Sequence, residues 1–165
     1  MRHNNLERVP TKRAPVRRKK AKPVLTFRAE APGMPQTITI VNDDPVWIAH
    51  ISEVATRIAV EVALDIVRNA EGFAARLTGP QPSALVTDLS LPWDSGFTIA
   101  RRCRDAGFAC PLIMLTAVGD EECAVNALKL GFHDYISTAS SWQPLLVRAL
   151  ESALMGVPSP ISEGA

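Results

Sequence analysis

Apolar positions along this chain recur in short blocks that switch between two spacings. Thr37-Ile38-Thr39-Ile40-Val41 is a β-branched run, halted by the polar cluster Asn42-Asp43-Asp44-Pro45, and it predicts a first strand. Ile48, Ile51, Ala55 and Ile58 then return at helical spacing. Residues 60–67 read as a strand and 70–77 as a short helix closed by Gly79-Pro80, and Ser83-Ala84-Leu85-Val86-Thr87 is a buried strand ending at Asp88. Ser95 to Ala106 predicts a helix, with Ser95 as its cap and Gly107 as its stop. Leu112-Ile113-Met114-Leu115 is another clear strand, ending at Thr116; residues 120–130 are a helix closed by Gly131, and 134–137 a further strand. Trp142, Leu145, Leu146, Ala149, Leu150, Ala153 and Leu154 mark one stripe of a last helix.

The result is strand then helix, five times over. Its central strands are continuous apolar runs rather than alternating ones, so they are buried on both faces, which requires a parallel sheet covered by helices on each side. Right-handed crossovers leave few topologies, and the simplest for five units is the flavodoxin-like α/β fold, a five-stranded parallel sheet in the order 2-1-3-4-5.

Charge divides the chain in a way the net value of +1 conceals. Residues 1–30 hold ten basic and two acidic side chains, a net of +8, and the remainder carries −7. Prolines at 10, 15, 23, 32 and 35 and the absence of apolar periodicity predict a disordered basic arm over residues 1–35, since such a segment buries too little to offset its ordering entropy. A folded domain is expected over 36–155, and a flexible tail over 156–165. The arm suits a weak, non-specific contact with a polyanion such as nucleic acid, made to phosphates because Phe27 is its only aromatic residue; folding back onto the acidic domain is the other outlet. Cys103, Cys110 and Cys123 show no paired zinc spacing and are expected as reduced, buried thiols. No apolar run reaches the ~18 residues of a membrane span, so the expectation is a cytoplasmic protein.

Ligands of open parallel sheets bind at the carboxyl ends of the strands, where the strand order reverses. Here that point receives Asp43 and Asp44 from the end of the first strand and Asp88 from the end of the third, with no basic residue in either loop. Crowded carboxylates repel unless a proton or cation intervenes, and a hard cation that keeps several waters, Mg²⁺, fits. Asp44, standing before Pro45, also suits a helix cap. Trp47 and Trp93 flank this pocket in sequence and are expected to shield it or to pack nearby. His50 and His133 lack metal-ligand spacing.

Ile-Val-Asn42-Asp43-Asp44-Pro45, then Leu-Val-Thr-Asp88-Leu-Ser-Leu-Pro92-Trp-Asp-Ser-Gly96, Leu-Ile-Met-Leu-Thr116-Ala117 and Gly131-Phe-His-Asp134-Tyr135-Ile136 together resemble the receiver domain of two-component response regulators, from about Gln36 to Met155. The resemblance implies that Asp88 accepts a phosphoryl group from a histidine kinase or phosphotransfer protein. It also implies that Asp43, Asp88 and the carbonyl of Ser90 hold Mg²⁺, with Asn42 as a further candidate ligand, that Thr116 is the switch hydroxyl, and that Tyr135 is the switch aromatic.

Two positions depart from the family pattern. Asn42 stands where an acid is usual, and Thr138-Ala139 where Lys-Pro is usual. The first removes a negative charge from the metal site, the second a charge-assisted bond to the phosphoryl group, of order ~1.5–3 kcal/mol. Ser137 and Thr138 offer only neutral donors. Three readings follow: a phosphoaccepting switch in a phosphorelay, a phosphorylation-independent pseudo-receiver that binds proteins, and a small phosphatase using Asp88 as nucleophile. The last lacks a second acid two residues on, where Ser90 stands. No output domain is expected after Met155. Partners are a kinase or phosphotransfer protein, a downstream protein, and a second copy of the chain.

Overall fold

The computed structural model describes residues 35–157. The expected arm and tail therefore lie outside the described residues, apart from Pro35, Gly156 and Val157. Seven strands and five helices follow in the order β1 (Gln36–Val41), α1 (Pro45–Ala55), β2 (Val62–Val67), α2 (Ala70–Leu77), β3 (Ala84–Thr87), β4 (Ser90–Leu91), β5 (Asp94–Ser95), α3 (Gly96–Asp105), β6 (Leu112–Thr116), α4 (Glu121–Lys129), β7 (Asp134–Ser137) and α5 (Trp142–Leu154). β2, β1, β3, β6 and β7 form one sheet in that order, every pairing parallel. With the β4–β5 ribbon set aside, this is the expected 2-1-3-4-5 order. That antiparallel two-residue ribbon is an element the periodicity did not show, because two residues per strand are too few to display a period.

Alternation along the central strands divides the core in two. Ile38, Ile40, Ala84, Val86, Ile113 and Leu115 face α1 and α5; Val41, Leu85, Leu112 and Met114 face α2, α3 and α4. All are buried, as continuous apolar strands in a covered parallel sheet must be. Side chains start four of the helices: Asp44, Asn69, Ser95 and Asp120 each accept a hydrogen bond from a backbone N–H of the first turn. α5 begins at Ser141 without such a cap and is held instead by its buried stripe and by Trp142, whose ring lies 5.6 Å from that of Trp47 on α1.

The thiols correct one expectation. Cys103 and Cys110 are buried, but Cys123, on α4, is only half-buried. Burial pushes the Cys103 thiol up to about 12 and the Cys110 thiol up to about 11, which suppresses the reactive thiolate. A disulfide thiol reagent at pH 8 should therefore titrate one rapid thiol in the native protein, Cys123, and three after denaturation. Two or more rapid native thiols would show that α3 or the segment before β6 opens readily. His133 is buried, with Nε2 placed 2.7 Å from the Ser152 hydroxyl, a structural setting linking the start of β7 to α5. Among the described residues, no helix is long and apolar enough to cross a membrane.

Candidate functional site

β1 and β3 are neighbours with the same direction, so their carboxyl ends deliver the two acidic loops to one place. Asp88 N–H donates to the carbonyl of Val41 at 3.4 Å, and Asn42 N–H to that of Val67 at 3.0 Å. Both loops are thereby tied to the sheet. Beyond them opens a cleft of about 410 Å³, lined by Asn42, Asp43, Asp44 and Trp47 on one side and by Asp88, Ser90, Leu91 and Pro92 on the other. Among the described residues, no basic side chain lines it.

The acids in this cleft have different duties. Asp44 Oδ1 accepts from Val46 N–H at 2.8 Å and caps α1, the capping alternative read from Asp44-Pro45. Asn42 is buried, and its Oδ1 accepts from Asp44 N–H at 2.9 Å; it shapes the loop as well as facing the cleft. Asp43 is exposed and Asp88 half-buried. Asp88 Oδ1 accepts from Ser90 N–H at 3.2 Å, which orients the carboxyl at the cleft wall. Beneath the loop, Gly96 N–H donates to the Leu89 carbonyl at 2.9 Å, and the β4–β5 ribbon carries Ser90 up to the cleft wall.

Asp43, Asp88 and Ser90 line the cleft together, and a cleft that offers carboxylates without a basic side chain suits Mg²⁺, which binds through one or two carboxylates and retains waters. Among the described residues no three His, Cys, Asp or Glu side chains gather into a metal-holding group. The set fits the ion with one charge fewer than an all-acid loop would supply.

Thr116 and Tyr135 do not line this cleft. Thr87 pairs with Met114, so Thr116, two residues further along β6, lies at the same end of the sheet as Asp88. Its buried hydroxyl donates to the Val118 carbonyl at 2.6 Å and accepts from Val118 N–H at 3.2 Å. Tyr135, in β7 next to β6, has a buried hydroxyl oxygen with no hydrogen-bond partner. Thr138 N–H donates to the Thr116 carbonyl at 2.9 Å, so the position that departs from the usual Lys is tied by its backbone to the end of β6. The tryptophans part company: Trp47 lines the cleft, whereas Trp93 packs beside Phe73, ring centres 6.1 Å apart, against the core beneath α2 and α3. Gly96 closed one of the quoted motifs and follows the cap Ser95, but the sequence assigned it no role; Gly119, in the loop before α4, had no signal beyond its being glycine.

The sheet order and the acid-lined cleft at its switch point define the flavodoxin-like receiver class. The chain belongs to the response regulator receiver domain family of two-component signalling, whose family model matches residues 38–149. Among curated proteins, it is 31% identical over 125 residues to the acid tolerance regulatory protein ActR of Rhizobium meliloti (strain 1021), covering 74% of this chain and 62% of that protein. It is 33% identical over 115 residues to the phosphate regulon transcriptional regulatory protein PhoB of Pseudomonas aeruginosa, covering 68% of this chain and 49% of that protein. The chain thus spans about half to two-thirds of the length of these relatives. The crystal structure of FixJ-N superposes with a TM-score of 0.64 at 28% identity, covering 75% of this chain and 97% of that one.

Proposed function

We propose that residues 36–155 act as a phosphoaccepting switch in which Asp88 takes a phosphoryl group from a histidine kinase or phosphotransfer partner. The observation that supports this most is the Asp88 carboxyl itself. It is held by Ser90 N–H through one oxygen and faces a cleft it shares with Asp43. In the transfer, Asp88 Oδ2 forms the new P–O bond as the bond from phosphorus to the donor breaks, and the donor leaves with the electron pair. Asp43, Asp88 and the Ser90 carbonyl would hold Mg²⁺, which supplies neutralising charge for the phosphoryl oxygens. Asn42 shapes the loop under Asp43. The Thr116 hydroxyl, now bonded to Val118, is the donor that a new phosphoryl oxygen would attract. Tyr135 stands next to it as the aromatic member of the switch. Receiver domains are switches rather than turnover enzymes, and this reading assigns the chain no multiple-turnover chemistry.

The phosphorylation-independent reading retains a specific support: Asn42 removes one metal-ligating acid, and Thr138 offers no cation to a bound phosphoryl group. One experiment separates the two. With acetyl phosphate and excess Mg²⁺, intact mass should rise by a single phosphoryl group, and the Asp88→Asn variant should show no rise. An unchanged mass in the parent chain would reject the phosphoacceptor reading in favour of the protein-binding one.

A further inference from the structure

We propose that Gly119 is the positioning residue for Tyr135: having no side chain, it leaves the space in which the phenol tip lies inward. The inference rests on the reading of Tyr135 as the switch aromatic, but its geometry is independent of Asp88. Gly119 lies in the loop between Thr116 and α4, with φ of +151°, a conformation that side-chain-bearing residues rarely adopt. A Cβ placed on it would overlap the Tyr135 hydroxyl oxygen, and would also come within 3.3 Å of Tyr135 Cζ and of Thr116 Cγ2. The phenol tip therefore occupies the space that any side chain at 119 would need.

That hydroxyl is buried without a hydrogen-bond partner, so no polar contact anchors it. The ring is retained by packing on the core beneath α2, α3 and α4. The Val118 carbonyl, one residue before Gly119, is already engaged by Thr116. A tyrosine held by steric room alone responds to the size of its neighbour, and here the neighbour has no side chain. The inward position of the ring beside β7 and the start of α4 therefore depends on the residue at 119.

The chain contains one tyrosine, so every phenol signal reports on position 135. Desolvation raises its titration above the ordinary value of 10, with Cys123 and Asp120 adding in the same direction. Spectrophotometric titration should show this elevated midpoint, and Gly119→Ala should return it toward 10. An unchanged midpoint in Gly119→Ala would overturn the proposal. Backbone strain at φ +151° also contributes to that variant, and a double-mutant cycle removes it. Tyr135→Phe lacks the overlapping oxygen, so Gly119→Ala should lower Tm clearly less when combined with Tyr135→Phe than when made alone; equal losses would refute the contact. If Gly119→Ala fails to fold by itself but folds together with Tyr135→Phe, the contact is supported.

3-Fluorotyrosine incorporated at the single site gives a resonance whose H₂O-to-D₂O shift measures exposure at neutral pH; a small shift in the parent chain that grows in Gly119→Ala is expected, and equal shifts would overturn the proposal. If acetyl phosphate with Mg²⁺ gives no adduct, the function proposed for Asp88 fails, while the titration and the cycle still decide the role of Gly119.

Discussion

Gly96→Ala is expected to lower the folding stability by about 3 kcal/mol, the upper part of the range for overpacking a close-packed site. Gly96 opens α3 directly under the Asp88 loop. A Cβ there would overlap the Asp88 carbonyl oxygen and approach Met114 Sδ at 2.8 Å and Cε at 2.9 Å. Met114 is fully buried and can turn only into neighbours that already fill the core. The Asp88 carbonyl belongs to the backbone of the loop that presents the proposed phosphoacceptor carboxyl. Relief must therefore come by moving the site, the β4–β5 ribbon, or the first turn of α3. Urea denaturation followed by tryptophan emission and circular dichroism checks the loss of stability. The same variant should accept less phosphoryl group per unit time, because displacing Asp88 spoils in-line geometry. A stability loss below about 1 kcal/mol would show that the loop yields cheaply and that Gly96 is not what holds Asp88 in place.

Restoring a negative charge at position 42 should have the second large effect. In Asn42→Asp, Mg²⁺ binding is expected to tighten about 10-fold or more. A unit charge ~4 Å from a divalent ion contributes roughly 2 kcal/mol even at the dielectric of water. The cost of placing a carboxylate at a buried position reduces that gain. The sign without metal is opposite. Asn42 is buried, its replacement stands beside Asp43 and Asp88, and the crowded carboxylates should make the metal-free variant less stable than the parent. Retaining the Oδ acceptor for Asp44 N–H keeps the loop turn intact, so the two effects are attributable to charge. Calorimetric titration with Mg²⁺, and thermal melts with and without it, give both signs. Trp47 provides an optical readout because it lines the cleft; Trp93, against Phe73, does not. Equal affinities in the two proteins would place residue 42 outside the reach of the ion.

The elements, their order and most of their ends were legible in the sequence because near neighbours decide them. A β-branched run followed by Asn-Asp-Asp-Pro ends a strand and starts a helix whatever lies across the sheet, and Ser95 and Asp120 cap their helices through atoms three residues away. Continuous apolar strands required a parallel sheet covered on both faces, and the parallel sheet in turn placed Asp43 and Asp88 at one end of adjacent strands. The pairing of the two acids was therefore readable without coordinates. The departures at Asn42 and Thr138 were readable as well, being changes of residue type at positions already located.

Long-range packing decided the rest. Trp47 and Trp93 sit equally close to the cleft in sequence, yet one lines it and the other turns into the core, because the ribbon after Asp88 reverses the chain within six residues. Cys123 is half-buried where Cys103 is fully buried, since α4 and α3 cover the sheet to different depths. The contact between Gly119 and Tyr135 joins residues sixteen apart across a parallel crossover, and it depends on where β7 lies beside β6. Periodicity reports which face of an element is apolar; it carries no record of which atom from another element arrives there. That meeting follows from strand register and from helix placement over the sheet, which only the assembled tertiary structure specifies.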